Sequence, residues 1–398
     1  MSTAVPPPVA DDIDVATLLD DPYATYARLH ELGPVAWVPV LNRYLVTGFD
    51  ACRAVEADEA TFSADVRGGS ATMARALGGR PMLRKDGAAH AEERTPINTP
   101  LRPKAIRATW LARFERNART YLETLRARGP DDADLNRDFA GPLAAQNLVD
   151  MLGLPDATAE ELARWSLAFI AGIGNLQDDP GIWARSDAAQ QEVDAHLDAL
   201  LPVLRRRPDA SVTSALLHAG LDEATVRTNV KLTISGGMNE PQHTITAIVW
   251  ALTDHPEQRE RVLSDPSWWP RVVDETIRWQ APIGMYPRRT TRDCVLAGIA
   301  LPAEASLGVV VGAANRDPAV FDRPDEFDIA RTKRAHLGFG SGVHVCAGHW
   351  AARIAIGEVA LPMLYDALPG LRTDPRRETT WFGWVFRGMT ALPVTWGG

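Results

Sequence analysis

The 398-residue sequence predicts a mainly helical α+β fold in a single domain, with one long helix and small β-sheets. Three observations carry this expectation. The stretch from Asp222 to His255 places Val226, Val230, Ile234, Ile245, Ile248 and Trp250 on apolar helical faces. Segments 35–48 and 295–311 have strand character interrupted by turns. Helical and strand segments do not alternate, which argues against a doubly wound parallel sheet.

Taken in order, residues 1–10 are short, Pro-rich and without an apolar run, and are expected to be a disordered N-terminus that is neither signal peptide nor anchor. Residues 11–398 are expected to form one domain. Val35–Tyr44 and Leu45–Gly48 read as strands around a turn at Asn42. Asp222 can cap the long helix and His255-Pro256 ends it, so that about 33 residues would span roughly 50 Å. Val295–Val311 reads as strand, turn, strand with the bend at Pro302 and Ala303. Ala347–Leu368 reads as a helix, and Trp381–Trp396 as irregular strands with turns at Gly383 and Gly388.

Hydrophobic residues make up 45% of the chain and charged residues 23%, the balance of a soluble globular protein with ample core. No segment offers 18 uninterrupted apolar residues, so neither a membrane span nor a membrane partner is expected and the protein is read as cytoplasmic. A formal charge of −9 argues against nucleic-acid binding. The three cysteines, Cys52, Cys294 and Cys346, are too scattered for a disulfide framework or a zinc site. Basic residues gather in Arg84–Arg107, with Arg102, Lys104 and Arg107 close together; this stretch is either a docking surface for an acidic electron donor or a solvated helix face.

The most informative stretch is Phe339-Gly340-Ser341-Gly342-Val343-His344-Val345-Cys346-Ala347-Gly348. A lone cysteine follows a glycine-punctuated loop and precedes a helix. The glycines let the backbone turn tightly and approach a flat macrocycle. A sulfur at a helix N-terminus is favoured in its charged form. The arrangement suits a single thiolate ligand to iron; the plainer alternative is a small buried cysteine at a helix start.

This stretch resembles the heme-binding loop of the cytochrome P450 superfamily, and other landmarks follow across nearly the whole chain. Glu275-Thr276-Ile277-Arg278 is similar to that family's Glu-x-x-Arg, and Ala314-Asn315-Arg316-Asp317-Pro318 with Phe321, Pro324, Phe327-Asp328 and Arg331 is similar to the segment leading to the heme loop. The resemblance implies heme b as cofactor, held by Cys346 as the iron ligand together with Phe339 and Gly340 of the loop. It also implies a buried network of Glu275, Arg278 and Arg331. His90-Ala91-Glu92-Glu93-Arg94 resembles the family's propionate-contacting motif. His90, Arg94, His344 and Arg289 are therefore expected at the propionates, Arg289 being preferred to Arg288 from its spacing after Pro282.

One departure stands out. Where the family's pattern on the distal helix is Gly-Gly-x-acid-Thr, this chain has Gly236-Gly237-Met238-Asn239-Glu240-Pro241. Asn239 and Glu240 stand in the acid and alcohol positions and are the expected catalytic pair. Pro241 should kink the helix. A Glu240 carboxylate in a dry pocket would have a raised pKa and could relay protons, unless it simply faces solvent. The Asn-Glu-Pro run, with Trp381-Phe382-Gly383-Trp384-Val385-Phe386-Arg387-Gly388, resembles methoxyphenol O-demethylases of the guaiacol type.

That resemblance implies oxidation of a methoxy carbon to a hemiacetal, which collapses to a phenol and formaldehyde. The implied partners are a small aromatic substrate, O2 and a separate electron-donor reductase or ferredoxin. Met82, Leu83, Ile173, Ile234, Gly237 and Phe386 are the expected substrate-lining residues. Ile173, where the guaiacol-type enzymes carry a phenylalanine, is read either as room for a second ring substituent, favouring syringol, or as ordinary core. The rival activities are a peroxide-driven peroxygenase, hydroxylation of another small hydrophobic substrate, and a heme sensor without turnover.

Overall fold

The structure is a computed structural model that describes residues 5–66 and 68–397. It is mostly helical, with small sheets, as expected. By its internal contacts the chain groups into two compact units of discontinuous segments. One comprises Met1–Val66, Thr246–Cys346 and Arg372–Leu392; the other comprises Arg67–Ile245, Ala347–Leu371 and Pro393–Gly398.

The first unit is built on a five-stranded sheet in the order Val35–Val38, Arg43–Val46, Ser306–Val309, Tyr286–Thr290, Phe62–Ser63. Asn42 adopts a left-handed conformation (φ 49°) and reverses the chain between the first two strands, which pair antiparallel with Val35 opposite Val46. Residues 5–10 are not disordered. The Val5 N–H donates to the Gly298 carbonyl at 3.0 Å, and Ala10 and Trp37 donate to the carbonyls of Trp37 and Pro8 at 2.8 Å each. The prolines lack donors, but the residues around them pair and the Pro8 carbonyl accepts.

The 295–311 region holds one more turn than expected. Strands Cys294–Leu296 and Ile299–Leu301 form a hairpin through Ala297 (φ 50°) and Gly298 (φ 84°), and the bend after Pro302 leads into Ser306–Val309. Two positive φ values match the right-handed twist of hairpin strands. Gly388 opens the strand Gly388–Ala391, paired with Thr380–Phe382, instead of forming a turn; Gly383 (φ 75°) does turn.

The second unit packs its helices around Trp165, Phe169, Leu148, Leu197 and Ile234, each nearly or fully buried. Helix Ala159–Ile173 begins at a capping box formed by Thr158 and Glu161. The helix expected from Asp222 to His255 is capped by Asp222 but is two helices, Glu223–Gly236 and Asn239–Asp254. Pro241 cannot donate to the Gly237 carbonyl four residues earlier, and its ring crowds that carbonyl, so the sequence-predicted kink becomes a full break. The helix after Cys346 runs as His349–Arg353, a π-segment Ile354–Ala360, and Leu361–Ala367.

Within the first unit, an ion network fixes the irregular chain ahead of Cys346. Arg278 donates to both carboxylate oxygens of Glu275 at 2.8 Å, as their three-residue spacing predicts. Arg331 Nε adds a bond to Glu275 at 3.2 Å, and the Asp328 N–H another at 3.0 Å. Arg278 also donates to the carbonyls of Asn315 (2.9 Å), Pro324 (2.8 Å) and Glu326 (3.0 Å). Glu275 and Arg278 are both buried. Replacing Arg278 with Ala should lower unfolding stability by about 3–5 kcal/mol, because it removes the bidentate partner of a buried carboxylate and the donor to the Asn315 and Pro324 carbonyls, leaving Glu275 only Arg331 and the Asp328 N–H. Urea unfolding checks this; a loss below about 1 kcal/mol would contradict the assignment.

Candidate active site

The cysteine loop is a closed turn in the first unit. Gly340 N–H donates to the Leu337 carbonyl and Cys346 N–H to the Phe339 carbonyl, both at 2.8 Å. The Asn315 side chain accepts from Leu337 N–H at 2.6 Å, tying the loop's start to the arginine-braced segment. Gly340 (φ 68°) and Gly342 (φ 62°) occupy the left-handed region that the turn requires. Among the three cysteines, Cys346 is exposed, Cys294 is partly covered, and Cys52 is buried with its thiol on the Val46 carbonyl at 3.2 Å. The thiol suited to bind an external group is therefore the one in the motif.

A group with two propionates needs cations, and the first unit offers a fitting one. Arg288 is 4% exposed, donates to the Pro287 carbonyl at 3.0 Å, and lies over the Tyr286 ring at 4.9 Å. Among the described residues no carboxylate pairs with it, so this buried cation fits an anionic group such as a propionate. Arg289, expected in that role, is instead committed to Glu304 and to the Asp65 carbonyl. Neighbouring residues on a strand point to opposite faces, which spacing from Pro282 could not distinguish. His344 is half-buried in the loop. In the second unit, His90 is buried on helix Gly87–Asn98, and Arg94 on the same helix bonds Asn98.

The helix break in the second unit presents Glu240. Both of its carboxylate oxygens are shielded from solvent, and among the described residues no other residue donates a hydrogen bond to them. Burial pushes the carboxyl up to about 7. The solvent-facing alternative for Glu240 therefore fails. Asn239 donates from its amide to Ser166 Oγ at 3.1 Å, and Gln242 to Asn136 at 2.7 Å, so side chains on both sides of Glu240 anchor the restarted helix. His243 is buried on the same side of the helix as Glu240 and is pushed down to about 4 by burial. Gly237 has no room for a side chain: a Cβ would lie 2.8 Å from the Thr233 carbonyl and 3.0 Å from Leu148.

The expected substrate-lining residues divide between the units. Met82 and Ile234 belong to the buried cluster of the second unit, and Ile173 packs partly buried against it, as its core reading supposed. Leu83 is 36% exposed. Phe386 is in the first unit, bridged to Ile283. The basic stretch around Arg102 and Lys104 opens helix Pro103–Thr109, which packs against His349–Arg353, while Arg107 pairs with Glu358.

Comparison with known proteins places this site in a family. The cytochrome P450 family model matches residues 269–363, which contain the ion network and the cysteine loop. The mycinamicin IV hydroxylase/epoxidase of Micromonospora griseorubida is 31% identical over 391 residues, covering 93% of this chain and 94% of that protein. The 6-deoxyerythronolide B hydroxylase of Saccharopolyspora erythraea is 30% identical over the full length of both. The structure of P450BioI with an acyl carrier protein superposes with a TM-score of 0.86 at 25% identity, covering 95% of this chain and 99% of that one. A cysteine loop of this form, a buried arginine on the same unit and full-length likeness to two hydroxylases agree: the chain belongs to the cytochrome P450 family of monooxygenases, whose cofactor is heme b.

Proposed function

We propose that this protein is a cytochrome P450 that O-demethylates a small methoxyphenol, with Glu240 as its proton-transfer group. The observation that carries the reading is the desolvated, unbonded Glu240 carboxyl at a helix break, where the family pattern has an alcohol. The aromatic run Trp381–Gly388 supports the methoxyphenol class by its resemblance to guaiacol-type demethylases. The balance is one aryl methyl ether, O2, two electrons and two protons giving a phenol, formaldehyde and water. Heme b, when bound, supplies the oxygen chemistry. The chain itself supplies placement and protons.

In this assignment Cys346 is the thiolate ligand, with Phe339 and Gly340 shaping the loop against the macrocycle. Arg288, His90, Arg94 and His344 would hold the propionates, Arg288 in place of Arg289 because among the described residues Arg289 pairs with Glu304 and Arg288 with no carboxylate. Glu240 holds a proton on its carboxyl and delivers it. Asn239 positions that helix turn through Ser166, since an amide is not an acid–base group. Met82, Leu83, Ile173, Ile234, Gly237 and Phe386 surround the ring. Electrons come from a separate reductase or ferredoxin. The buried acid also favours a second activity, direct use of hydrogen peroxide; turnover with peroxide alone, against NADH consumption through a reductase, separates the two.

Cys346→Ser should abolish the long-wavelength Soret band of the ferrous carbon monoxide complex. A variant that keeps the band would identify another ligand.

Glu240→Gln should slow dioxygen-driven turnover while leaving substrate affinity nearly unchanged, the pattern of a lost transition-state interaction. With a carboxyl that titrates at about 7, parental turnover should fall as pH rises through that value, and the variant should show no such limb. The folded pKa lies above the ordinary carboxylate value, so Glu240's contribution to stability is full below about pH 4.5 and is lost as pH rises through 7. Glu240→Gln should therefore gain stability over the parent on going from pH 5 to 8, by at most about 3 kcal/mol. Equal pH slopes for the two proteins would contradict the burial assigned to this acid.

Formaldehyde release should favour syringol over guaiacol, and Ile173→Phe should penalise syringol more. A clear parental preference for guaiacol would remove the size argument.

A further inference from the structure

Glu56 is a buried acid, 5% exposed, in the last turn of helix Phe49–Ala57, and neither the family landmarks nor the proposed reaction uses it. Each of its oxygens accepts from a different hydroxyl. Ser341 Oγ, inside the cysteine loop, donates to Oε2 at 2.8 Å, and the Tyr286 phenol donates to Oε1. Burial and the carboxylate push the Tyr286 phenol well above its ordinary value, so it remains a donor. The ring of Tyr286 in turn carries the Arg288 guanidinium on its face at 4.9 Å.

The loop's backbone is fitted to the same residue. A Cβ on Gly342 would lie 2.2 Å from the Glu56 carbonyl oxygen, and one on Gly340 would lie 3.1 Å from Oε1. Both loop glycines are thus required by their φ angles and by the approach of Glu56. Ser341 sits between them, and the Phe339 carbonyl that accepts from Cys346 N–H lies just before. Moving Ser341 therefore moves the turn that fixes the cysteine.

We propose that Glu56 is a positioning residue for the Cys346 thiolate: its carboxylate clamps Ser341 of the cysteine loop to Tyr286 of the strand that carries Arg288. One side chain thereby sets the spacing between the sulfur-bearing loop and the buried cation. The inference rests on Cys346 being the iron ligand and is independent of the substrate.

The test uses the holoprotein and the variants Ser341→Ala, Glu56→Gln, their double combination, and Cys346→Ser. The rate at which the ferrous carbon monoxide complex loses its thiolate band is measured alongside the melting midpoint. Ser341→Ala should speed the loss by about tenfold, the scale of one charge-assisted hydrogen bond, with the protein still folded at the assay temperature. The double variant should be no faster than Glu56→Gln alone, since the contact is already broken. Rates equal to the parent's, or effects that multiply independently in the double variant, would overturn the clamp. Should Glu56→Gln fail to fold, Ser341→Ala decides alone, because it changes only a hydroxyl on a partly exposed loop. A Cys346→Ser protein that retains the band would refute the ligand assignment; loss of the band there, with Ser341→Ala unchanged, would refute only the positioning role.

Discussion

Proline at position 241 is the constraint on which the chemistry of the second unit depends. Without an N–H it cannot close the turn onto Gly237, and the helix must stop and restart within a few residues. At the restart the proline is in the first turn, where a missing N–H costs nothing. Glu240 immediately precedes it, so the acid is carried on a fresh helix end instead of a continuous helix face. Asn239 and Gln242, bonded to Ser166 and Asn136, hold that end in place. An ionised carboxylate without partners is expensive to bury, and the neutral acid much less so. The raised titration of Glu240 follows from that difference, and makes it able both to hold and to release a proton near neutral pH.

The first unit solves another problem, holding an irregular chain rigid. Segments without regular structure leave carbonyls unpaired, and each must find a donor. Arg278 and Arg331 supply these donors to Asn315, Arg323, Pro324 and Glu326, and the Glu275 carboxylate bonds both guanidinium groups. Asn315 then passes the constraint to Leu337 at the head of the cysteine loop. The loop glycines seat against Glu56, so the sulfur is positioned from both directions along the chain.

Much of this was legible in the sequence, and what was not has physical causes. The Glu275–Arg278 pair follows from helical spacing, the Asn42 turn from tolerance of the left-handed region, and the Cys346 loop from its glycines. The break at Gly237–Met238 was visible as Pro241, but periodicity on both sides made one long helix look continuous. Arg288 and Arg289 are adjacent, and only the sheet register decides which faces inward. The pairing of residues 5–10 was hidden because proline-rich composition resembles a tail. The Glu56 clamp joins residues 230 and 285 positions away, a separation no local pattern reports.

The family model and the residues of the proposed activity fall in different parts of the chain. The family model covers residues 269–363, the stretch with the ion network and the cysteine loop, and the full-length relatives are hydroxylases of other substrates. Asn239, Glu240 and Pro241 lie outside that stretch, as do Met82, Ile173 and Ile234. A frame shared among enzymes of unlike substrates fixes the cofactor and leaves the substrate to the surrounding side chains. Under the proposed function, the departure at Glu240 bears on how protons reach the reaction, and the side chains of the second unit bear on what enters.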